Sequence, residues 1–242
     1  MKILLLSDIH GNLTALQSVM DKIDKNYKID ACILLGDIID YGMHSNEVIK
    51  LIKNFSFPIL CNLWGNHENA IINERYEKFS SERGKQCAQY TRSILSQESW
   101  KYLMECMVRY GKKEFECYGK KCLAVHASLL DEFWGKMELE KEIDEYVNFD
   151  YVFSGHTHIP FFLEKYVRGD DLRKRNKKKV IFINPGSVGQ PRNLNPMAQF
   201  AILDIKTEKI IFEKVLYDIQ YEQKTYNGQV DDFYKNRLEI GV

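Results

Sequence analysis

Apolar and polar positions along the first sixty residues follow two alternating periods. Residues 3–6 form an unbroken apolar run, the pattern of a strand covered on both faces. Leu13, Leu16, Val19, Met20 and Ile23 then recur at helical spacing behind Asn12, a residue suited to capping a helix N-terminus. A second apolar run at 31–35 ends at Gly36. A helical set follows at Val48, Ile49, Leu51 and Ile52, and a third short run covers 59–61. This β-α-β-α-β order predicts a mostly parallel sheet. Residues 68–107 read as helical, with Leu95, Trp100, Leu103 and Met104 as core positions. Residues 115–118 and 122–125 read as a hairpin turning at Gly119-Lys120, followed by a helix through Leu139, Ile143 and Val147 and a strand at 151–153. Beyond that the pattern is β, at 161–167, 180–184, 200–205 and 210–216, with a turn at 206–209. The tail, 218–242, is polar and reads as helical. Without an internal repeat or a Pro/Gly/Ser-rich linker, the expectation is one α/β domain over 1–242 with two packed sheets.

Charge narrows the partners. Lys and Arg number 34 and Asp and Glu number 34, so the formal net charge is zero. No global field draws the chain onto nucleic acid or an anionic membrane, and no broad basic stripe argues for either. The segment 165–179, with eight Lys or Arg, reads as the solvated tip of a hairpin. Apolar runs fall short of the roughly 18 residues of a membrane span, and the first one meets Asp8 too soon for a signal peptide. Six cysteines without a CxxC pair, most of them in apolar runs, read as buried thiols of a reducing, cytoplasmic compartment.

Candidate chemistry gathers where the strands end. Asp8 and His10 follow the first run, Asp37 and Asp40 the second, and Asn66, His67 and Glu68 the third. His126 follows 122–125, and His156 and His158 follow 151–153. Open α/β sheets bind ligands outside the carboxyl ends of their strands. Any one of these residues alone would be ordinary: Asp8 or Asn12 as a cap, His126 as a structural histidine. Five segments delivering such residues to one edge point to a metal site. The i, i+2 spacing of Asp8/His10 and of His156/His158 would aim each pair to one side if extended geometry persisted past the strand. A mixed carboxylate, imidazole and amide set suits first-row divalent ions rather than a thiolate zinc site.

The motifs D-x-H (Asp8, His10), G-D-x-x-D (Asp37, Asp40), G-N-H-E (Asn66, His67), a lone His126 and G-H-x-H (His156, His158) occur in one order. That order resembles the calcineurin-like metallophosphoesterase superfamily, most closely its compact bacterial and archaeal phosphodiesterase branch. The similarity runs on through 184–192. The resemblance implies a four-layer αββα fold, two β-sheets flanked by helices, and two divalent ions (Mn, Fe, Ni or Zn). It implies Asp8, His10 and His158 on one ion, Asn66, His126 and His156 on the other, and Asp37 bridging. It also implies His67 as the catalytic histidine, oriented by Asp40. The expected reaction is hydrolysis of a small-molecule phosphate ester by a hydroxide held between the ions, with His67 as general acid. Arg192, closing the 184–192 loop, and Asn12 are candidate substrate contacts.

Departures from the pattern bear on the substrate. Tyr41 follows Asp40, and Trp64 precedes the G-N-H-E motif, at positions where protein phosphatases carry Arg. Two guanidinium clamps for a phosphate dianion are thus missing, which favours a monoanionic phosphodiester. Ala127 stands where Gly is common. The alternative is an asymmetric dinucleoside polyphosphate or other nucleotide as substrate. A non-catalytic scaffold like the retromer subunit is the rival outside catalysis, opposed here by the complete set of ligand types.

Overall fold

The first strand, β1 (Lys2–Leu6), shows why its apolar run is unbroken. Ile3 and Leu5 pack between two sheets, whereas Leu4 and Leu6 pack beneath helices. Both faces are dry, so neither parity tolerates a polar side chain. In β2 (Ala31–Leu34), Ile33 likewise faces the other sheet while Cys32 and Leu34 face helices.

The computed structural model describes residues 1–242. With β3 (Ile59–Asn62), β9 (Ala198–Asp204) and β10 (Lys209–Val215), these strands form a sheet in the order β10-β9-β1-β2-β3. β1, β2 and β3 are parallel, and β9 runs antiparallel to both β1 and β10. The second sheet takes β4 (Lys112–Cys117), β5 (Lys120–Val125), β6 (Tyr151–Ser154), β7 (Phe161–Arg168) and β8 (Lys177–Asn184). Its order is β4-β5-β6-β8-β7, with β5, β6 and β8 parallel and the edge strands antiparallel. Cys122, Ala124, Phe153 and Ile183 meet Ile3, Leu5 and Ile33 between the sheets.

Helices close the outer faces. α1 (Leu13–Asn26), α2 (Ser45–Lys53), α3 (Asn66–Ile72), α4 (Glu82–Ile94) and α5 (Gln97–Glu105) cover the first sheet. α6 (Leu139–Glu142) and a 3-10 turn over Ile143–Tyr146 cover the second. The layers are αββα, as the resemblance implies. β1, β2 and β3 in one sheet and β5, β6 and β8 in the other are parallel within their sheets and deliver their carboxyl ends to one rim.

Local boundaries differ from the periodicity in three places. Residues 68–107 are helical as expected, but divided into α3, a 3-10 turn, α4 and α5. Glu74 in a left-handed conformation (φ 56°) breaks the first, and Ser81 and Ser96 cap the next two by accepting from Gly84 N and Ser99 N. The hairpin turns at Tyr118-Gly119, both with positive φ, rather than at Gly119-Lys120. The expected helix through Leu139, Ile143 and Val147 is one α turn followed by a 3-10 turn. The tail carries α7 (Ile219–Lys224), α8 (Phe233–Asn236) and a 3-10 turn over Arg237–Glu239. In the basic hairpin, Lys179 bonds Glu208 at 2.6 Å and Glu164 at 3.3 Å, so part of its charge is neutralised locally.

Candidate metal centre

The backbone at the rim is held against its own preference. Asp8, His10, Asp37, Asp40, Tyr41, His156 and His158 all have φ between 48° and 75°. A Cβ makes this left-handed region costly, about 1–3 kcal/mol per residue. The expectation that extended geometry would aim Asp8 with His10, and His156 with His158, is therefore corrected. The chain leaves each strand through left-handed turns, and these turns converge the side chains. Ser187 Oγ donates to Asp8 O at 2.7 Å, and Asn184 Nδ2 donates to Gly155 O at 2.7 Å, so the 184–192 loop braces two of the turns.

Two donor groups result, sharing Asp37. Asp8, His10, Asp37 and His158 offer atoms within 4.8 Å of one another, and so do Asp37, His126 and His156. Asn66 Oδ1 completes the second group, 3.0 Å from His126 Nε2 and 3.0 Å from His156 Nδ1. The tautomers follow from the outer contacts. His10 Nδ1–H donates to Ile39 O (3.3 Å), His126 Nδ1–H to Leu35 O (2.7 Å) and His158 Nδ1–H to Gln190 O (2.5 Å). Each leaves Nε2 with its lone pair turned inward. His10 Nε2 and His158 Nε2 then face each other at 3.2 Å, and His126 Nε2 faces the Asn66 oxygen. Lone pairs brought this close repel unless a cation lies among them. Asp8 Oδ1 is buried with no hydrogen-bond partner, which an ion would also satisfy. The donors fit divalent metal.

Electrostatics agree. Burial pushes His10 and His158 well below the ordinary imidazole range and His156 down to about 3, so all three stay neutral ligands. Burial raises Asp8 to about 7. Burial would also raise Asp37, but the imidazoles of His126, His67 and His10 outweigh it and hold the carboxylate ionised. Burial opposes charge on His126 too, yet Asp37 lifts it to about 9: without a cation beside it Nε2 would hold a proton, and an ion there would take that proton's place on the lone pair.

Beside the donors lies a second device. His67 Nδ1–H donates to Asp40 Oδ2 at 2.6 Å, both groups buried. Asp40 Oδ1 accepts from Thr91 Oγ1 (2.7 Å) and Cys87 Sγ (3.2 Å), which fixes the carboxylate. Glu68 is the acid that the motif carried without an assigned role. Its carboxylate accepts from Asp37 N (2.9 Å), Ile38 N (2.8 Å), Ile39 N (3.1 Å) and Gly65 N (2.7 Å), clamping the Asp37 turn. Gly65 lies so close that a methyl there would strike the Asp37 carboxylate.

Known proteins share this frame. Residues 1–208 match the calcineurin-like phosphoesterase superfamily domain. The chain belongs to the calcineurin-like phosphoesterase superfamily. It is 32% identical to the protein MJ0912 of Methanocaldococcus jannaschii over 250 residues, 99% of this chain and 98% of that one. A metallophosphoesterase from Sphaerobacter thermophilus superposes with a TM-score of 0.76 at 25% identity, covering 100% of both chains. The hypothetical protein PH1004 from Pyrococcus horikoshii OT3 superposes at 0.83 and 20% identity, covering 100% of this chain and 98% of that one, a likeness of fold.

In this member of the superfamily the donors open onto a cavity of about 320 Å³. Asp37, Asn66, His156 and His158 lie on its wall, and so does Arg192. Asn12, a candidate substrate contact by sequence, is corrected. Its Oδ1 caps α1 by accepting from Ala15 N, and its Nδ2 donates to Gly189 O and Tyr217 OH, which leaves it buried and fully engaged. The polar tail was not expected at the site, yet Phe233, Tyr234 and Arg237 line the cavity. The signal available was the aromatic pair Phe233-Tyr234 followed by Arg237 in an otherwise polar stretch. No helix is long and apolar enough to cross a membrane.

Proposed function

We propose that the chain is a two-metal phosphoesterase that hydrolyses phosphodiesters, with His67 as general acid. The observation that carries this reading is the pair of facing lone pairs at His10 Nε2 and His158 Nε2, set 3.2 Å apart beside Asp37. Asp8, His10 and His158 would hold one ion and Asn66, His126 and His156 the other, with Asp37 bridging. Borderline donors of this kind suit Mn, Fe, Ni or Zn. When bound, such ions supply an activated water as nucleophile and positive charge for the phosphate oxygens.

The chain's own residues handle the leaving group. With Nδ1 engaged by Asp40, His67 has Nε2 left to hand over a proton. Burial pulls the His67 pKa down, but the charge of Asp37, then the bond and charge of Asp40, raise it above the ordinary imidazole value. The imidazolium therefore persists to higher pH than in a free imidazole, which suits a general acid. Tyr41 and Phe79 pack edge-on to His67, at 4.5 and 5.1 Å between centroids, and keep water from its flanks.

His67→Ala is expected to lower kcat by about 10²–10⁴ on an alkyl diester and by less on bis-p-nitrophenyl phosphate, whose leaving group needs little protonation, with metal content intact. Full turnover by that variant would remove the acid from His67. A nucleotide substrate is the second reading, favoured by the aromatic rings of Phe79, Trp134 and Phe233 on the cavity wall. All six cysteines are unpaired, which supports a cytoplasmic, reducing location.

A further inference from the structure

Arg237 is a buried cation without an anion. Its residue is only 8% exposed, it makes no ion pair, and its Nη2 is buried with no hydrogen-bond partner. Its one side-chain bond runs from Nε to the amide oxygen of Gln190 at 2.6 Å. The rings of Tyr41, Tyr234 and Phe233 stand 4.7, 5.2 and 5.4 Å from the guanidinium carbon, and their faces offset only part of the lost hydration. Two more unpaired arginines share the cavity: half-buried Arg192 and exposed Arg83, the latter stacked on Phe233 at 4.0 Å. Three guanidinium groups lining one cavity, with no carboxylate among their hydrogen-bond partners, have the chemistry of an anion site.

Its place relative to the metal donors decides what the anion is. Tyr41 lies 4.6 Å from His10 and 4.5 Å from His67, and Arg237 packs on that same ring. Arg237 is thus one aromatic ring removed from His10 and His67, a place that suits a group adjoining the one held at the donors. We infer that Arg237 and Arg192 are specificity residues that bind a second phosphate adjoining the one being cleaved. The inference rests on the proposed phosphoesterase reading, which seats the scissile phosphate at the metal donors. It revises the diester preference argued from Tyr41: a guanidinium from the tail stacks on that ring, so the cavity is not short of positive charge. The substrate class is then a nucleotide-type ester carrying more than one phosphate, with its base against the aromatic wall.

The test compares ADP with AMP, which differ by one phosphate, by isothermal titration of the purified protein with and without Mn²⁺. The wild type is expected to bind ADP more tightly than AMP. Arg237→Met, which keeps the bulk of the side chain, should shrink that preference by about tenfold to a hundredfold, the range of a charge-assisted pair. Arg192→Ala should shrink it in the same direction, and Arg237→Lys should restore only part of it. Because an uncompensated buried charge is removed, Arg237→Met should melt no lower than the wild type. An ADP-to-AMP ratio identical in wild type and both variants would overturn the inference, as would a melting temperature that falls sharply in Arg237→Met with the ratio unmoved. The phosphoesterase reading is judged separately, by turnover of His67→Ala on a simple diester.

Discussion

Replacing Asp40 by Asn tests the proton-transfer half of the mechanism without touching a proposed metal donor. The His67–Asp40 bond is 2.6 Å long and both partners are buried. A bond to an ionised group contributes about 1.5–3 kcal/mol. At about 1.4 kcal/mol per pKa unit, its loss lowers the His67 pKa by about one to two units. The charge of Asp37, which also raises the His67 pKa, remains in the variant. The sign follows from the role: an acid works protonated, so activity is retained below its pKa and lost as pH rises through it. The alkaline limb of the kcat–pH profile should therefore move acidward by about one to two units. At pH 8 turnover should fall about tenfold to a hundredfold, most for poor leaving groups such as alkoxides and least for p-nitrophenolate, which needs little protonation. Metal per chain, measured by elemental analysis, should match the wild type. An unmoved limb, or equal losses for good and poor leaving groups, would refute His67 as an acid set by Asp40.

Two further perturbations separate metal binding from scaffolding. Asp37→Asn removes the carboxylate common to both donor groups, so elemental analysis should find both ions reduced together; a variant that keeps two ions per chain would contradict bridging. Glu68→Gln keeps one acceptor oxygen but, whichever way the amide is turned, sets its NH2 against two of the four backbone N–H groups. Burial raises the Glu68 pKa to about 7, so at pH 8 the native carboxylate is ionised. Burial of the ionised carboxylate offsets part of what its bonds contribute, so the variant should lose at most about 1.5–3 kcal/mol in urea unfolding at pH 8, and a midpoint equal to the wild type would deny the clamp.

The pattern of apolar residues carried the architecture because burial on both faces leaves a local mark. The runs at 3–6 and 31–35 could be read as central strands since neither parity is polar, and the helical spacing at 13–23 marked the layer above them. The donor residues were legible for a related reason: Asp8, Asp37, Asn66, His126 and His156 each sit just past a strand, where side chains are not needed for packing. Periodicity was blind to backbone handedness. Asp8, His10, Asp37, His156 and His158 adopt left-handed turns; Ser187 braces the turn at Asp8, Glu68 the one at Asp37 and Asn184 the one before His156, and those braces come from remote segments. Which imidazole nitrogen keeps its lone pair was likewise decided by carbonyls of Leu35, Ile39 and Gln190, far away in the chain. Asn12 could not be divided between cap and substrate contact until Gly189 and Tyr217 claimed its amide. The tail is the plainest case. Arg237 reads as a surface residue in a polar helix, and it becomes a buried cation at the cavity because Tyr41, Tyr234 and Gln190 meet there only after the chain has folded.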